Sequence, residues 1–171
     1  HCTSSAASDV YKRQPIFKPQ TEWLPPESFP DLSGYSEIAI DLETKDPDLK
    51  TIGSGSVVGR SKIVGIAVAV EGWSGYYPIA HEGSGNMDSR MVLKWFQDVL
   101  NTDATKIFHN AMYDVCFIRA AGLKINGTIV DTMIAGSLVD ENRFRYDLGS
   151  MGRDYLCLLY TSDAADEVQW V

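Results

Sequence analysis

Apolar and polar residues alternate over positions 37–43 (EIAIDLE). Ile38, Ile40 and Leu42 fall on one side of an extended chain, and Ala39, Asp41 and Glu43 on the other, which predicts a first strand. Residues 62–71 (KIVGIAVAVE) are apolar on both faces and read as a second, central strand. A turn at 72–75 and a third strand at 76–80 complete a hairpin. The spacing then becomes helical over 88–100, with Val92, Trp95, Phe96, Val99 and Leu100 on one side. Residues 105–108 predict a short strand, and 111–121 a helix closed by Gly122. A further short strand is expected at 128–130, with helices at 131–138 and 146–156. The glycine-rich stretch 45–61 has no period and reads as a loop.

The resulting order is β-β-β-α-β-α-β-α-α: a hairpin-built half, then two crossover units. That predicts an α/β domain, a mixed sheet covered by helices. Ahead of it, residues 15–34 are rich in proline and read as an extended lead-in.

The two flanks read differently from the rest. Residues 4–14 are SSAASDVYKRQ and residues 157–167 are CLLYTSDAADE. Back-translated, reverse-complemented and read one base out of frame, the first segment yields Cys-Leu-Leu-Tyr-Thr-Ser-Asp-Ala-Ala-Asp and then an acidic codon. One DNA tag inverted at the two ends of a fragment accounts for both, as a translated sequencing adapter would. The expected organisation is therefore 1–14 adapter-derived, 15–34 lead-in, 35–156 a C-terminally truncated domain, and 157–171 adapter-derived tail.

At 171 residues, with 44% hydrophobic and 22% charged positions, the chain has the composition of one globular domain. No apolar run approaches the roughly 20 residues of a membrane span, and no secretory signal opens the chain, so no membrane partner is expected. Cys2, Cys116 and Cys157 lack metal-like or disulfide-like spacing, which makes a reducing, cytoplasmic setting the default. The formal net charge is −8, and between the adapter-like flanks it is −6. This balance suits a protein that collects carboxylates around cations, or one fed its substrate by a neighbouring domain, better than one gripping duplex DNA. Taken alone, it also describes ordinary solubility.

Asp41 and Glu43 share one strand face, about 7 Å apart along the chain by the usual rise. Like charges that close resist joint ionisation unless a divalent cation accepts their oxygens. The same triplet can equally be a strand end pointing into solvent. Asn110 and Asp114, at i and i+4, lie on one helix face. Their functional reading sets Asp114 opposite the first strand's carboxylates and Asn110 against a substrate phosphate or sugar. The plainer reading makes Asn110 a helix cap and Asp114 a charge on the N-terminal dipole. His81 and His109 have no partner at ligand spacing and read as structural or solvent-facing. Trp73, Tyr76, Tyr77, Trp95 and Phe96 read as core packing, and Asp131 as a cap on the helix after it. The GSGSVVG loop lacks the Lys-Ser/Thr ending of a phosphate-binding loop.

Order and combination carry more weight than any single motif. The strand ending in DLET, the hairpin with YYPIAHEG and the stretch FHNAMYDVCFIRAAGL resemble the first two exonuclease motifs of the DEDD superfamily and the hairpin between them. GTIVDTMIAGSLVDENRFRYDLGSMGRDYL resembles the region that follows in the proofreading domains of family A, phage-type, DNA polymerases. The resemblance runs from about Glu37 to Leu156. It implies a ribonuclease H-like fold and a 3′–5′ exonuclease using two divalent ions, Mg²⁺ or Mn²⁺. By it, Asp41, Glu43 and Asp114 would be catalytic and hold the metals, while Thr44 (through its backbone), Asn110 and Tyr113 would touch the terminal nucleotide. The implied partners are a single-stranded DNA 3′ end and a polymerase domain in the same parent chain.

One departure qualifies this. The family's third motif, Tyr-x-x-x-Asp or His-x-x-x-Asp, is absent: Tyr155 is followed four places on by Leu159, and Tyr160 by Ala164. The fourth carboxylate is missing, so this polypeptide is expected to be inactive and its parent active. Two alternatives stay open, a ribonuclease D-like RNA exonuclease on the same fold and a non-catalytic scaffold domain.

Overall fold

The computed structural model describes residues 24–56, 60–83 and 85–156. The two adapter-like flanks and the first part of the proline-rich lead-in lie outside the described residues. Five strands and four helices occur among those described: β1 (Glu37–Lys45), β2 (Lys62–Val70), β3 (Trp73–Pro78), α1 (Ser89–Asn101), β4 (Thr105–Phe108), α2 (Ala111–Ala120), β5 (Ile129–Asp131), α3 (Thr132–Val139) and α4 (Leu148–Leu156). The sheet order is β3-β2-β1-β4-β5. β1–β2 and β2–β3 are antiparallel, β1–β4 and β4–β5 parallel. The mixed α/β sheet expected from the sequence is present. β2 is interior, and β1 holds the middle of the sheet.

Residues Leu24–Ile134 form one compact unit. On one sheet face Ile38, Ile40 and Leu42 of β1 pack with Ile66 and Val68 of β2 and Tyr77 of β3. The apolar stripe of α1 (Val92, Trp95, Phe96, Val99, Leu100) joins the same core, as do Phe117 and Ile118 of α2. Each such side chain, once buried, contributes about 1.5–3 kcal/mol. The Trp95 indole N–H donates to the Pro30 carbonyl at 2.8 Å, and Phe29 stacks on Tyr77 with ring centroids 5.6 Å apart. These contacts tie residues 29–30 of the lead-in to the core.

The hairpin turn is tighter than its glycines imply. Val70 pairs with Trp73, so the turn is Glu71-Gly72, with Gly72 at φ 78°. β3 accordingly begins and ends earlier than expected. Gly75 lies within the strand because a Cβ there would stand 2.8 Å from the Trp73 ring. α1 starts after Asp88, whose carboxylate accepts the N–H of Arg90 at 2.9 Å and of Met91 at 3.3 Å.

The described part of the second unit runs from Ala135 to residue 156. Gly136 is buried under Met151, whose Cε would meet a Cβ at 2.4 Å. The Tyr146 hydroxyl donates to the Asp140 carbonyl at 2.8 Å. α4 starts at Leu148, two residues later than expected, because Asp147 caps it by accepting the Ser150 N–H at 2.9 Å. No helix among the described residues is long and apolar enough to cross a membrane.

Candidate active site

Alternation in β1 produces two unlike faces. Ile38, Ile40 and Leu42 are buried, whereas Ala39, Asp41 and Glu43 are exposed on the opposite side. The register sets Ala39 beside Ala69, Asp41 beside Ala67 and Glu43 beside Gly65 of β2. β2 thus lays a floor of small residues next to both carboxylates. A bulge follows at once, for the register slips between Glu43 and Thr44, and pairing resumes shifted at Thr44–Ile63 and Lys45–Lys62.

Asp114 reaches this end from α2. It is buried, 3% exposed, and its Oδ1 accepts the Leu42 backbone N–H at 3.1 Å. β4 pairs with β1 only over Glu37, Ile38 and Ala39. Further along β1 the helix side chain supplies an acceptor in place of the strand. Burial and the charge of Asp41 push the Asp114 carboxyl up to about 7. Asp41 is raised as well, by burial first, against the lowering effects of His109 and the Leu42 amide. Solvent reaches Asp41, but protein crowds it on most sides. Two neighbouring carboxyls both held above their ordinary range are what a divalent cation would relieve.

Asn110 is the only non-glycine among the described residues with positive φ (67°). It occupies the cap position of α2 without a side-chain cap bond, contrary to the plainer reading, and its side chain is exposed. Asp131, at the end of β5, holds this conformation. Its carboxylate accepts the N–H groups of Asn110 (3.0 Å), Ala111 (2.8 Å), Met133 (2.9 Å) and Ile134 (3.4 Å). Burial raises Asp131, but the four amides outweigh it and its pKa lies below the usual value. The expected cap on the following helix is there, and a second helix start shares it.

Thr44 and Tyr113 come together, with Thr44 Oγ1 and the Tyr113 hydroxyl 2.8 Å apart. The same hydroxyl donates to Asp46 at 3.3 Å, and the Tyr113 ring tilts against Phe117. His109 Nδ1 meets Thr132 Oγ1 at 2.9 Å, while its buried Nε2 has no hydrogen-bond partner among the described residues.

The structure therefore joins Asp41 with Asp114, and Thr44 with Tyr113. Glu43 shares the Asp41 face one register step on. Among the described residues, no three His, Cys, Asp or Glu side chains stand close enough to hold a metal ion together. The fit to a cation is that of the Asp41–Asp114 pair, with Glu43 alongside. Sequence reasoning missed Tyr76. Tyr77 enters the core, but Tyr76 pairs with Ala67, which pairs with Asp41, so it lies on the carboxylate face. Strict alternation along β3 carried that information.

Comparison with known proteins identifies the family. The family model for the 3′-5′ exonuclease of family A DNA polymerases matches residues 18–168. A DNA-directed DNA polymerase of Pseudomonas phage M6 is 34% identical over 150 residues, covering 81% of this chain and 22% of the relative. The DNA polymerase DpoZ of Salmonella phage PMBT28 is 28% identical over 142 residues, covering 82% and 20%. The chain thus spans about a fifth of the length of these curated relatives. Among solved structures, Brucella melitensis NrnC with bound Mg²⁺ superposes with a TM-score of 0.54 at 21% identity, over 77% of this chain and 59% of that one. The described sheet and helices are those of a ribonuclease H-like α/β fold, and the chain belongs to the DEDD-type 3′–5′ exonuclease domains of family A DNA polymerases.

Proposed function

We propose that this chain is the exonuclease part of a larger polymerase and removes nucleotides from single-stranded DNA 3′ ends by phosphodiester hydrolysis. The observation that carries the reading is the Asp41–Asp114 pair, both carboxyls raised, anchored together at the Leu42 amide. Asp41, Glu43 and Asp114 would hold divalent cations, Mg²⁺ or Mn²⁺. When bound, such ions supply charge neutralisation at the phosphate and a water acidic enough to attack.

The protein's own residues bind and orient. Asp114 is fixed by the Leu42 N–H within electrostatic range of Asp41. Asn110, lifted out of helical geometry by Asp131, presents an exposed amide that can pair with the terminal phosphate or sugar. Thr44 and Tyr113, bonded to each other, form one wall for the terminal nucleotide through the Thr44 backbone and the Tyr113 phenol. The 171 residues contain no Tyr-x-x-x-Asp, so on this reading the chain by itself offers three of the four carboxylates and hydrolyses DNA poorly.

A 5′-labelled single-stranded oligonucleotide tests the reading. The protein extended through the rest of its parent gene should shorten it stepwise from the 3′ end with Mg²⁺ or Mn²⁺, and Asp41→Asn should stop it. Preference for RNA would move the assignment to the ribonuclease D-like alternative. A folded extended protein that degrades neither would leave the scaffold reading.

A further inference from the structure

The carboxylate face of the sheet carries a tyrosine that the family reading leaves unused. Tyr76 lies in one cross-strand row with Ala67 and Asp41. Its ring runs along the face to Gly65, where a Cβ would stand 1.8 Å from the hydroxyl oxygen. The hydroxyl thus fills the volume that a side chain at position 65 would take. Gly65 is the register partner of Glu43, and directly paired residues keep their Cβ atoms about 4.5–5.5 Å apart. The Tyr76 oxygen is therefore one cross-strand spacing from the Glu43 Cβ, within reach of its carboxylate.

A second group fixes the tyrosine from behind. The Tyr76 hydroxyl is hydrogen-bonded to His81 Nε2. His81 is itself clamped through its backbone: its N–H donates to Asn86 Oδ1, and its carbonyl accepts from Asn86 Nδ2, both at 2.8 Å. With Nε2–H donating to the phenol oxygen, the phenol proton is available to the carboxylate side.

We propose that the Tyr76 hydroxyl, braced by His81 and admitted by Gly65, is a positioning group for the Glu43 carboxylate. Glu43 has three side-chain torsions on an exposed strand face, and among the described residues it makes no three-ligand group with Asp41 and Asp114. A donor to one carboxylate oxygen selects the rotamer that turns the other toward Asp41, the role of outer-shell partners at metal sites. This rests on the reading of Asp41, Glu43 and Asp114 as cation ligands.

Mn²⁺ binding to the full chain, followed through the electron paramagnetic resonance signal of the free ion, tests it. Tyr76→Phe keeps the ring and should bind Mn²⁺ roughly tenfold or more weakly, at unchanged unfolding temperature. In a Glu43→Gln background, Tyr76→Phe should have no further effect, which a purely structural role would not produce. His81→Gln probes the same bond without changing Tyr76 and should weaken binding in the same direction. If Asp41→Asn abolishes binding while Tyr76→Phe binds like the parent chain, the positioning role is overturned and the ligand reading stands. If the parent chain binds no Mn²⁺ at a site sensitive to Asp41, both fall.

Discussion

The carboxylate of Asp114 accepts the Leu42 backbone N–H at 3.1 Å, joining residues 72 positions apart. The bond welds the first helix turn of α2 to the end of β1 and sets one carboxylate beside the pair on that strand. Removing the acceptor should cost more than changing its charge. Asp114→Ala leaves a buried amide unpaired and should destabilise the protein by about 1–3 kcal/mol in chemical denaturation. Asp114→Asn keeps an oxygen for that amide and should not.

The same pair makes stability depend on pH. Asp114 stands at about 7 in the fold against 3.8 as its ordinary value. The native state therefore holds the proton more tightly than the unfolded one. The associated stability is fully present below pH 3.8, falls as pH rises, and is gone above about 7. The upper bound is on the order of 4 kcal/mol. Asp114→Asn should thus stabilise the metal-free protein at pH 8, and the gain should vanish toward pH 4. A gain independent of pH in urea titrations would contradict the coupling.

Divalent cations should act in the opposite sense. Mg²⁺ or Mn²⁺ bound only by the native state raises stability by RT ln(1 + [L]/Kd), about 2.7 kcal/mol at a hundredfold excess over Kd. The unfolding temperature of the full chain should rise with Mn²⁺ at pH 8. Asp41→Asn should remove that rise while leaving the metal-free protein at least as stable.

Asn110 allows backbone and side chain to be separated. Its φ of 67° suits glycine as well as asparagine, so Asn110→Gly should leave the unfolding temperature close to that of the parent. If the exposed amide contacts the DNA end, the same change should weaken binding of a single-stranded oligonucleotide in fluorescence anisotropy. Asn110→Val should instead unfold the start of α2, because a β-branched residue is strained at positive φ.

Much of this was legible in the chain. Alternation located β1 and its two faces, and helical spacing named the five buried residues of α1. The roles of Asp41, Glu43 and Asp114 came from the family resemblance, since spacing alone left a solvent-facing strand end and a charge on the helix dipole equally open. Less was legible where long-range pairing overrides local signals. Gly72 and Gly75 both look like turn residues, yet only the first turns the chain. The second is selected by the rings of Trp73 and Tyr77. Tyr76 and Tyr77 are neighbours of one chemical type on opposite faces, and only the register with β2 says which one meets the carboxylates. The left-handed backbone of Asn110 had no local cue. It depends on Asp131, 21 residues further on.

That carboxylate has a mechanical consequence. One Asp131 side chain takes amides from the start of α2 and from the start of α3, while its own backbone closes β5. Two helices and a strand end thus share a single rivet. A small rotation of α3 about its first turn cannot be absorbed locally, because the oxygens that follow Met133 and Ile134 also carry Asn110 and Ala111. Strain applied at the first turn of α3 is delivered to the left-handed backbone of Asn110, and a displacement of Asn110 would be felt at the start of α3.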